Sequence, residues 1–440
     1  MDEIKEALPV RIAWIGPMPS NGGGAGGVSS QLLKELDRLG IEVDCFVPGH
    51  PNSIPEHLGS LEHIRFICGP SSWQWGKWYS RNRLLSFITG QIANLRAENR
   101  LAFQLLRLHQ TRSYDVVYQF SHIEFSALKR FRSKLPPIVL HPSVHAQGEL
   151  RWHKAEDHLS KASESFVMRF GARIMLTVRS VIQKRHIRYP DLILGLSQNF
   201  AQDVMEDYRV PSRKLKILPN PIDLDYYSPE SPPHVRRRLV ILFVSRIAVR
   251  KGVEMVVELS HRLDDLKDDV EIKVVGEKSQ WSDYKGLLQN LNLRIAKYVG
   301  EIGLKDGGMR GIYRQSDILV QPSHYEPFGL TVAEALASGI PVVVSDKVGA
   351  GEGVHELACR RFHDGQMEEF EHAVRILVND LQDERKRVDI RTIARQECER
   401  LYCGEVIASR LMEYLTSCGV SSNSTDSETV SPLQLHQLEG

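Results

Sequence analysis

At 440 residues the chain is too long for one hydrophobic core, so two or three domains are expected. Its 42% hydrophobic and 25% charged content is ordinary for a globular protein, and no apolar run reaches the roughly 20 residues of a spanning helix. Lys and Arg (56) almost cancel Asp and Glu (55), which leaves no global field to recruit nucleic acid.

In chain order, Arg11–Ile15 reads as a short buried strand, followed by a glycine loop and an amphipathic helix running from Val28 to Gly40. EVDCFV, DVVYQF, PPIVL, DLILGLS and KLKIL continue the strand series. The proline-rich stretch PNPIDLDYYSPESPPHVRRR breaks it and reads as a linker over 221–238. The series restarts with LVILFV and continues through VEIKVVGE, RIAKYVGE, DILVQPS and PVVVSD. The fold class is therefore α/β, with one βαβ domain over 1–220 and a second over 239–400. A C-terminal helix over 401–417 is expected to pack back on the first domain, and the Ser/Thr-rich stretch 418–440 reads as a disordered tail. The six cysteines form no Cys-x-x-Cys pair and MDEIKEALPV lacks signal-peptide character, so free thiols and a cytoplasmic location are expected.

Parallel sheets of this kind bind ligands beyond the carboxyl ends of their strands, so the loops there carry the argument. The first, PMPSNGGGAGGVSS, sets Gly22, Gly24 and Gly27 in a G-x-G-x-x-G register, where backbone can approach a phosphate. A dinucleotide site also needs an acid closing the second strand. Here Asp44 falls in mid-strand and the strand ends on Val47-Pro48, so the dehydrogenase reading falls away. The second loop places Arg246 at the end of LVILFV and Lys251 before the next helix. Both can reach a diphosphate; alternatively they are two solvated basic side chains. In EPFGLTVAE, Glu326 and Glu334 flank a turn. A helix starting near Leu330 would aim free N–H groups at that turn and favour an anion there, although an isolated carboxylate pair is more often mere surface.

Taken together, VSRIAVRKG and YRQSDILVQPSHYEPFGLTVAEALASGIPVVVSD resemble the nucleotide-binding half of glycosyltransferase family 4, retaining enzymes with the GT-B fold. The resemblance covers most of residues 10–417 and implies two Rossmann-like domains facing each other across a cleft. It also implies transfer of a sugar from a nucleoside diphosphate onto a hydroxyl of a glycan, lipid-linked or small-molecule acceptor. By position, Arg246 and Lys251 would bind the donor phosphates, Glu326 would contact hydroxyls of the transferred sugar, and Glu334 would hold the ribose. Phe328, Gly329, Leu330 and Thr331 would bring backbone N–H groups near sugar and phosphate, and Gly24, Gly26 and Gly27 would form the facing loop. A sugar-facing histidine is implied as well. PIVLHPSVHAQ offers His141 and His145, and His145, followed by the small Ala146, fits better. No cofactor is implied beyond the donor itself. Two departures stand out: Asn220-Pro221 replaces the common Asn-Gly, and VGAGEGVHELACRRFHDG lacks the usual glycine-bounded strand. Residues 50–115 and 148–188 match no family pattern and are expected to recognise the acceptor.

At about 1.5 Å per helical residue the two glutamates would stand roughly 12 Å apart, beyond the ~5 Å of a nucleophile–acid pair. Same-face substitution is expected instead, with the leaving diphosphate taking the acceptor's proton. Asp223-x-Asp225 falls in the linker and reads as a turn cap, so no metal is expected. A sugar-nucleotide epimerase and a non-catalytic sugar-nucleotide-binding partner subunit are the alternatives. Finally, Arg169–Arg188 is a basic amphipathic helix with Phe170, Ile174, Val178 and Ile182 at helical spacing. It is a candidate for peripheral membrane contact, while the simpler reading makes that stripe core and the arginines a solvated face. Trp73, Trp75 and Trp78 in WQWGKWYSRNR stack on a sugar, enter an interface or pack a lid.

Overall fold

A computed structural model describes residues 10–21, 23–69, 77–78, 83–121, 126–155, 157–158, 161, 165–229, 238–276, 285–300, 302 and 308–423. Its sheets grow from the apolar runs. β1 (Ile12–Ile15) is buried at every position, and so is β8 (Leu239–Val244). A strand buried on both faces needs helices above and below it, which is why neither run alternates with polar residues.

The first sheet has the order β3-β2-β1-β4-β5-β6-β7, with β2 (Val43–Pro48), β3 (Ile64–Gly69), β4 (Val116–Ser121), β5 (Ile138–Pro142), β6 (Leu192–Gly195) and β7 (Leu215–Ile217). The second has the order β10-β9-β8-β11-β12-β13, with β9 (Val270–Val275), β10 (Ala296–Gly300), β11 (Ile318–Gln321), β12 (Val342–Ser345) and β13 (Cys359–Phe362). Every pairing among the described residues is parallel. In both sheets the strand order reverses beside the first strand, between β1 and β4 and between β8 and β11. Chains leaving those strands diverge to opposite faces and open a crevice, so topology alone sends the loops after β1, β8 and β11 toward a ligand.

Helices fill the layers: α1 (Gly24–Arg38), α2 (Arg83–Arg112), α3 (Ala146–Ala155), α4 (Phe166–His186) and α5 (Gln198–Tyr208) on the N-terminal side. On the C-terminal side lie α6 (Val253–Arg262), α7 (Leu330–Ala337), α8 (Met367–Gln382) and α9 (Glu384–Tyr402). α10 (Gly404–Asn423) then returns to the first domain and sets Ile407, Leu411 and Leu415 into the core of Ile12, Trp14, Leu32, Leu36 and Val116. At the crossing, the Ile222 amide donates to the Tyr402 carbonyl at 2.9 Å, so the outgoing and returning segments lie side by side.

Several expectations change. The helix predicted from Val28 starts at Gly24, because Gly26 packs where a Cβ would fall 2.5 Å from Ser20 Oγ and its carbonyl accepts the Ser20 amide. The stretch 418–423 belongs to α10 rather than to a tail, with Cys418 partly buried against the N-terminal core; 424–440 lie outside the described residues, as do Gly22, Trp73, Trp75 and linker residues 230–237. β13 forms where no strand was expected, held by its ladder to β12. The apolar stripe of α4 is not core: Phe170, Ile174 and Val178 are each about half exposed. Asp223 accepts from the amides of Asp225 and Tyr226, as a turn cap does. All six cysteines are free, and among the described residues no helix is long and apolar enough to cross a membrane.

The distance in sequence between α10 and the core it completes gives a direct test. Leu411→Ala removes a fully buried side chain and is expected to cost about 2–5 kcal/mol, read as a lowered denaturant midpoint for the N-terminal domain.

Candidate functional site

The crevice between β8 and β11 collects most of the predicted residues. After β8 the chain passes Ser245 and Arg246, makes a short 3-10 turn at Val249–Lys251, and enters α6 through Gly252. Gly252 has φ +72°, and a Cβ there would overlap the Pro322 carbonyl, so only glycine lets the two loops touch. That contact delivers Lys251 Nζ to Glu326 Oε2. Gln321 Nε2 donates to the same oxygen at 3.2 Å, and Gln321 Oε1 accepts from Thr331 Oγ1 at 2.6 Å. The Lys251 and Glu326 side chains are only 12% and 14% exposed. Burial, with Arg250 and Arg246 nearby, pushes the Lys251 ammonium well below the ordinary lysine range, and Glu149 counters part of this. Its contact with Glu326 favours the charged form in the same way. Arg246 itself is exposed and makes no ion pair among the described residues.

α7 begins beside this pair. Gly329 is its N-cap at φ +100°, a conformation that suits glycine, and no side chain caps the helix. Its first amides therefore remain available to an anion. Phe328 is held in place by its carbonyl, which accepts from the Ala350 amide at 2.7 Å. One turn further, Glu334 is nearly buried and accepts from the Tyr313 hydroxyl at 2.7 Å. Burial pushes its carboxyl up, while Tyr313 and Tyr227 hold it partly back. The two glutamates thus sit in separate settings with no shared partner.

Across the domain boundary, Leu330 packs against the N-terminal cluster that includes Val28, a cluster on which the half-buried Met18 and Ala25 also pack. Gly24, Gly26 and Gly27 form the first turn of α1. His141 is enclosed in the N-terminal domain. The Leu218 carbonyl, 3.0 Å away, can only accept, so Nε2 carries the proton and Nδ1 accepts from the Tyr118 hydroxyl at 2.6 Å. Burial pushes this imidazole down to about 4, so it stays neutral. His145 is fully buried as well, but it reaches the other domain: Nδ1 lies 2.8 Å from the Tyr325 hydroxyl, and Nε2 lies 3.1 Å from Asp207 Oδ2. It touches the residue preceding Glu326 rather than open solvent.

The structure thus brings together Lys251, Glu326, Thr331 and the helix start at Gly329–Leu330, with Arg246 close enough to act on Lys251. Glu334 is set deeper, and His141 is apart. Sequence reading missed Gln321, Tyr313 and Tyr227, which hold the two glutamates, and the interdomain contacts of Trp152 and Arg250. Gln321 had a signal, being the polar residue that closes an apolar strand run in front of the motif; the tyrosines had none. Trp152 of α3 stacks on His324 with ring centroids 5.1 Å apart, and His324 is bonded on both nitrogens, to Asp364 and Glu254, each at 2.6 Å.

Residues 228–397 match the family model for glycosyl transferases group 1, and residues 22–226 match that for glycosyltransferase family 4. The chain belongs to family 4 of the glycosyltransferases. This glycosyltransferase is 26% identical to the D-inositol 3-phosphate glycosyltransferase of Geodermatophilus obscurus, over 78% of this chain and 76% of that one. It is 24% identical to the mannosylfructose-phosphate synthase of Agrobacterium fabrum, over 72% and 69%. In fold it is similar to sucrose-phosphate synthase from Thermosynechococcus elongatus, with a TM-score of 0.67 at 18% identity over 94% of this chain and 100% of that one. It is also similar to Anabaena HepE in complex with UDP and glucose, with a TM-score of 0.61 at 18% identity over 93% and 100%. The two parallel-sheet domains are those of the GT-B fold.

The His324 contacts yield a pH signature. Burial opposes its charge, but the Asp364 and Glu254 carboxylates outweigh that and push the imidazolium up from 6.5 to about 10. The raised folded value means this stabilisation is fully present below pH 6.5 and is lost as pH rises through about 10. His324→Gln is expected to flatten the fall of the unfolding midpoint across that window, as measured by thermal melts in a pH series.

Proposed function

We propose that this glycosyltransferase is a retaining enzyme that moves a sugar from a nucleoside diphosphate onto an acceptor hydroxyl of a glycan, a lipid-linked sugar or a small molecule. The observation that carries the reading is the Lys251–Glu326 contact at the β8–β11 switch point, beside an uncapped helix start and the exposed Arg246. A diphosphate in that crevice would meet two cations and the α7 amides, while the attached sugar would lie over Glu326.

In the proposed reaction the bond between the anomeric carbon and the diphosphate oxygen breaks, and the acceptor oxygen bonds the same face of that carbon. The departing diphosphate oxygen takes the acceptor's proton, so no protein base is required. Arg246 and Lys251 stabilise the charge that builds on the leaving group. Glu326 orients sugar hydroxyls and Glu334 anchors the ribose. Their separate partners support roles other than a nucleophile–acid pair, which needs carboxyls ~5 Å apart. His145 acts here as a positioning residue, fixing Tyr325 and with it Glu326.

Arg246→Ala is expected to lower kcat by roughly 10²-fold or more while changing donor affinity far less, the mark of a group that acts on the transition state. Unchanged turnover would remove Arg246 from the mechanism. The donor is identified by thermal shift against UDP-, GDP-, ADP- and dTDP-sugars, followed by a transfer assay. Binding without transfer or hydrolysis would favour a non-catalytic partner subunit, and interconversion of the free sugar nucleotide would favour an epimerase. We also propose that the reaction needs no metal: activity is expected to persist in EDTA, and loss restored by Mn²⁺ would refute that.

A further inference from the structure

α4 carries two opposed faces. Ala172, Leu176, Ser180 and Gln183 are buried against α3 and α5, with Gln183 accepting from the Ala146 amide at 2.8 Å and from the Tyr208 hydroxyl at 2.6 Å. Two positions away, and so about 200° around the helix, runs a second apolar line. It consists of Phe166, Val167, Phe170, Ile174, Val178 and Val181, which are 49–75% exposed. Six of the fifteen exposed large hydrophobic residues described for the chain fall within these sixteen positions. The domain core is already served by the other face, so folding of this domain gives the line no reason to be apolar.

The charge around the line is one-sided. Phe166–Arg188 contains six Arg or Lys and no acid. Arg169 and Arg173 are both engaged by Asp157. At the other end of the helix, Lys184, Arg185 and Arg188 join Lys129 and Tyr189 around an open hollow of about 570 Å³. None of those four cations is ion-paired among the described residues; of the nearby acids, Asp191 is held by Arg132, and Glu98 lies beside Tyr189. Because α4 ends where the chain turns to enter β6, the hollow lies at the amino edge of the sheet, opposite the loops that build the transfer site.

We propose that α4 lies in the surface of an anionic lipid bilayer, with its outer apolar line among the acyl-chain boundary and the Lys129, Lys184, Arg185 and Arg188 hollow on lipid phosphates. The stripe from Phe166 to Val181 is about 22 Å long at 1.5 Å per residue, the length of a surface contact rather than of a small-ligand pocket. A helix of this kind binds by burying apolar side chains shallowly while its cations meet headgroups. Charge decides between occupants. A second copy of the chain placed on this face would bring like cations together, whereas an anionic surface complements them.

The test uses the full chain and vesicles of phosphatidylcholine, with or without a quarter of phosphatidylglycerol, separated by co-sedimentation. The protein is expected to pellet with the anionic vesicles, to stay in solution with phosphatidylcholine alone, and to be released by salt. Ile174→Glu with Val178→Glu, and separately Lys184→Glu with Arg185→Glu, are each expected to weaken binding at least tenfold, since each charge near such a surface contributes about fivefold and each variant changes two positions. All four positions are exposed, so both variants should keep the wild-type unfolding midpoint; Ile174→Ser with Val178→Ser replaces the first pair if it does not fold. The proposal is overturned if the wild type ignores anionic vesicles, binds both kinds equally, or binds undiminished after the apolar substitutions. A lipid-free dimer that the same substitutions dissolve would overturn it in favour of a self-interface. Because the readout is binding, these outcomes are independent of whether transfer is observed.

Discussion

Two charges that water can barely reach, the Lys251 ammonium and the Glu326 carboxylate, meet at the floor of the C-terminal crevice. Burying either alone would be costly, and each is tolerable chiefly because the other is there. The pair in turn depends on two loops touching, which depends on Gly252 having no side chain against the Pro322 carbonyl. The strand order puts those loops beside each other at a reversal point; the glycine closes the gap; the charges then fix where Glu326 stands. In the proposed reaction a bound diphosphate offers Lys251 a second anionic partner, which leaves more of the Glu326 carboxylate for sugar hydroxyls.

The same short loop is also where the domains grip one another. Tyr325 meets His145, His324 stacks on Trp152, and the Pro327 carbonyl accepts from Ser197 Oγ at 3.0 Å. Glu352 of the C-terminal domain accepts from the first amides of α5, at 2.7 and 3.0 Å, and so caps a helix in the other domain. Residues 324–328 are therefore positioned from both sides. A change in how the domains meet would be felt at Glu326 before it was felt in either core.

The fold was largely legible because buried parallel strands are nearly pure apolar runs, and LVILFV or PVVVSD can be little else. The loop residues Arg246, Lys251 and Glu326 were legible because their order along the chain follows the strands that present them. Helix starts were not: glycine-rich Gly24–Gly27 reads as loop, yet its lack of side chains is what allows the first turn of α1 to sit on Ser20. The partners of Glu334 were hidden too, since Tyr313 and Tyr227 come from distant segments and neither spacing nor pattern connects them to it. For α4, periodicity found the apolar line but could not say which way it faced. A second, less conspicuous stripe built around Gln183 and Ser180 holds the core, because buried polar groups with partners fill the inner face as well as leucines do.

The return of α10 has a consequence for how the molecule is made. The first sheet is made before the second domain, yet the side chains of α10 that cover one of its faces are made only after that domain. A nascent chain halted after the linker holds a domain with its wall missing, exposing Trp14, Leu32 and Val116 to whatever is near. The C-terminal domain, whose strands and helices are nearly contiguous in sequence, has no such wait. The core of the first domain is thus complete only once α10 has been made, and until then its uncovered apolar face is open to wrong contacts.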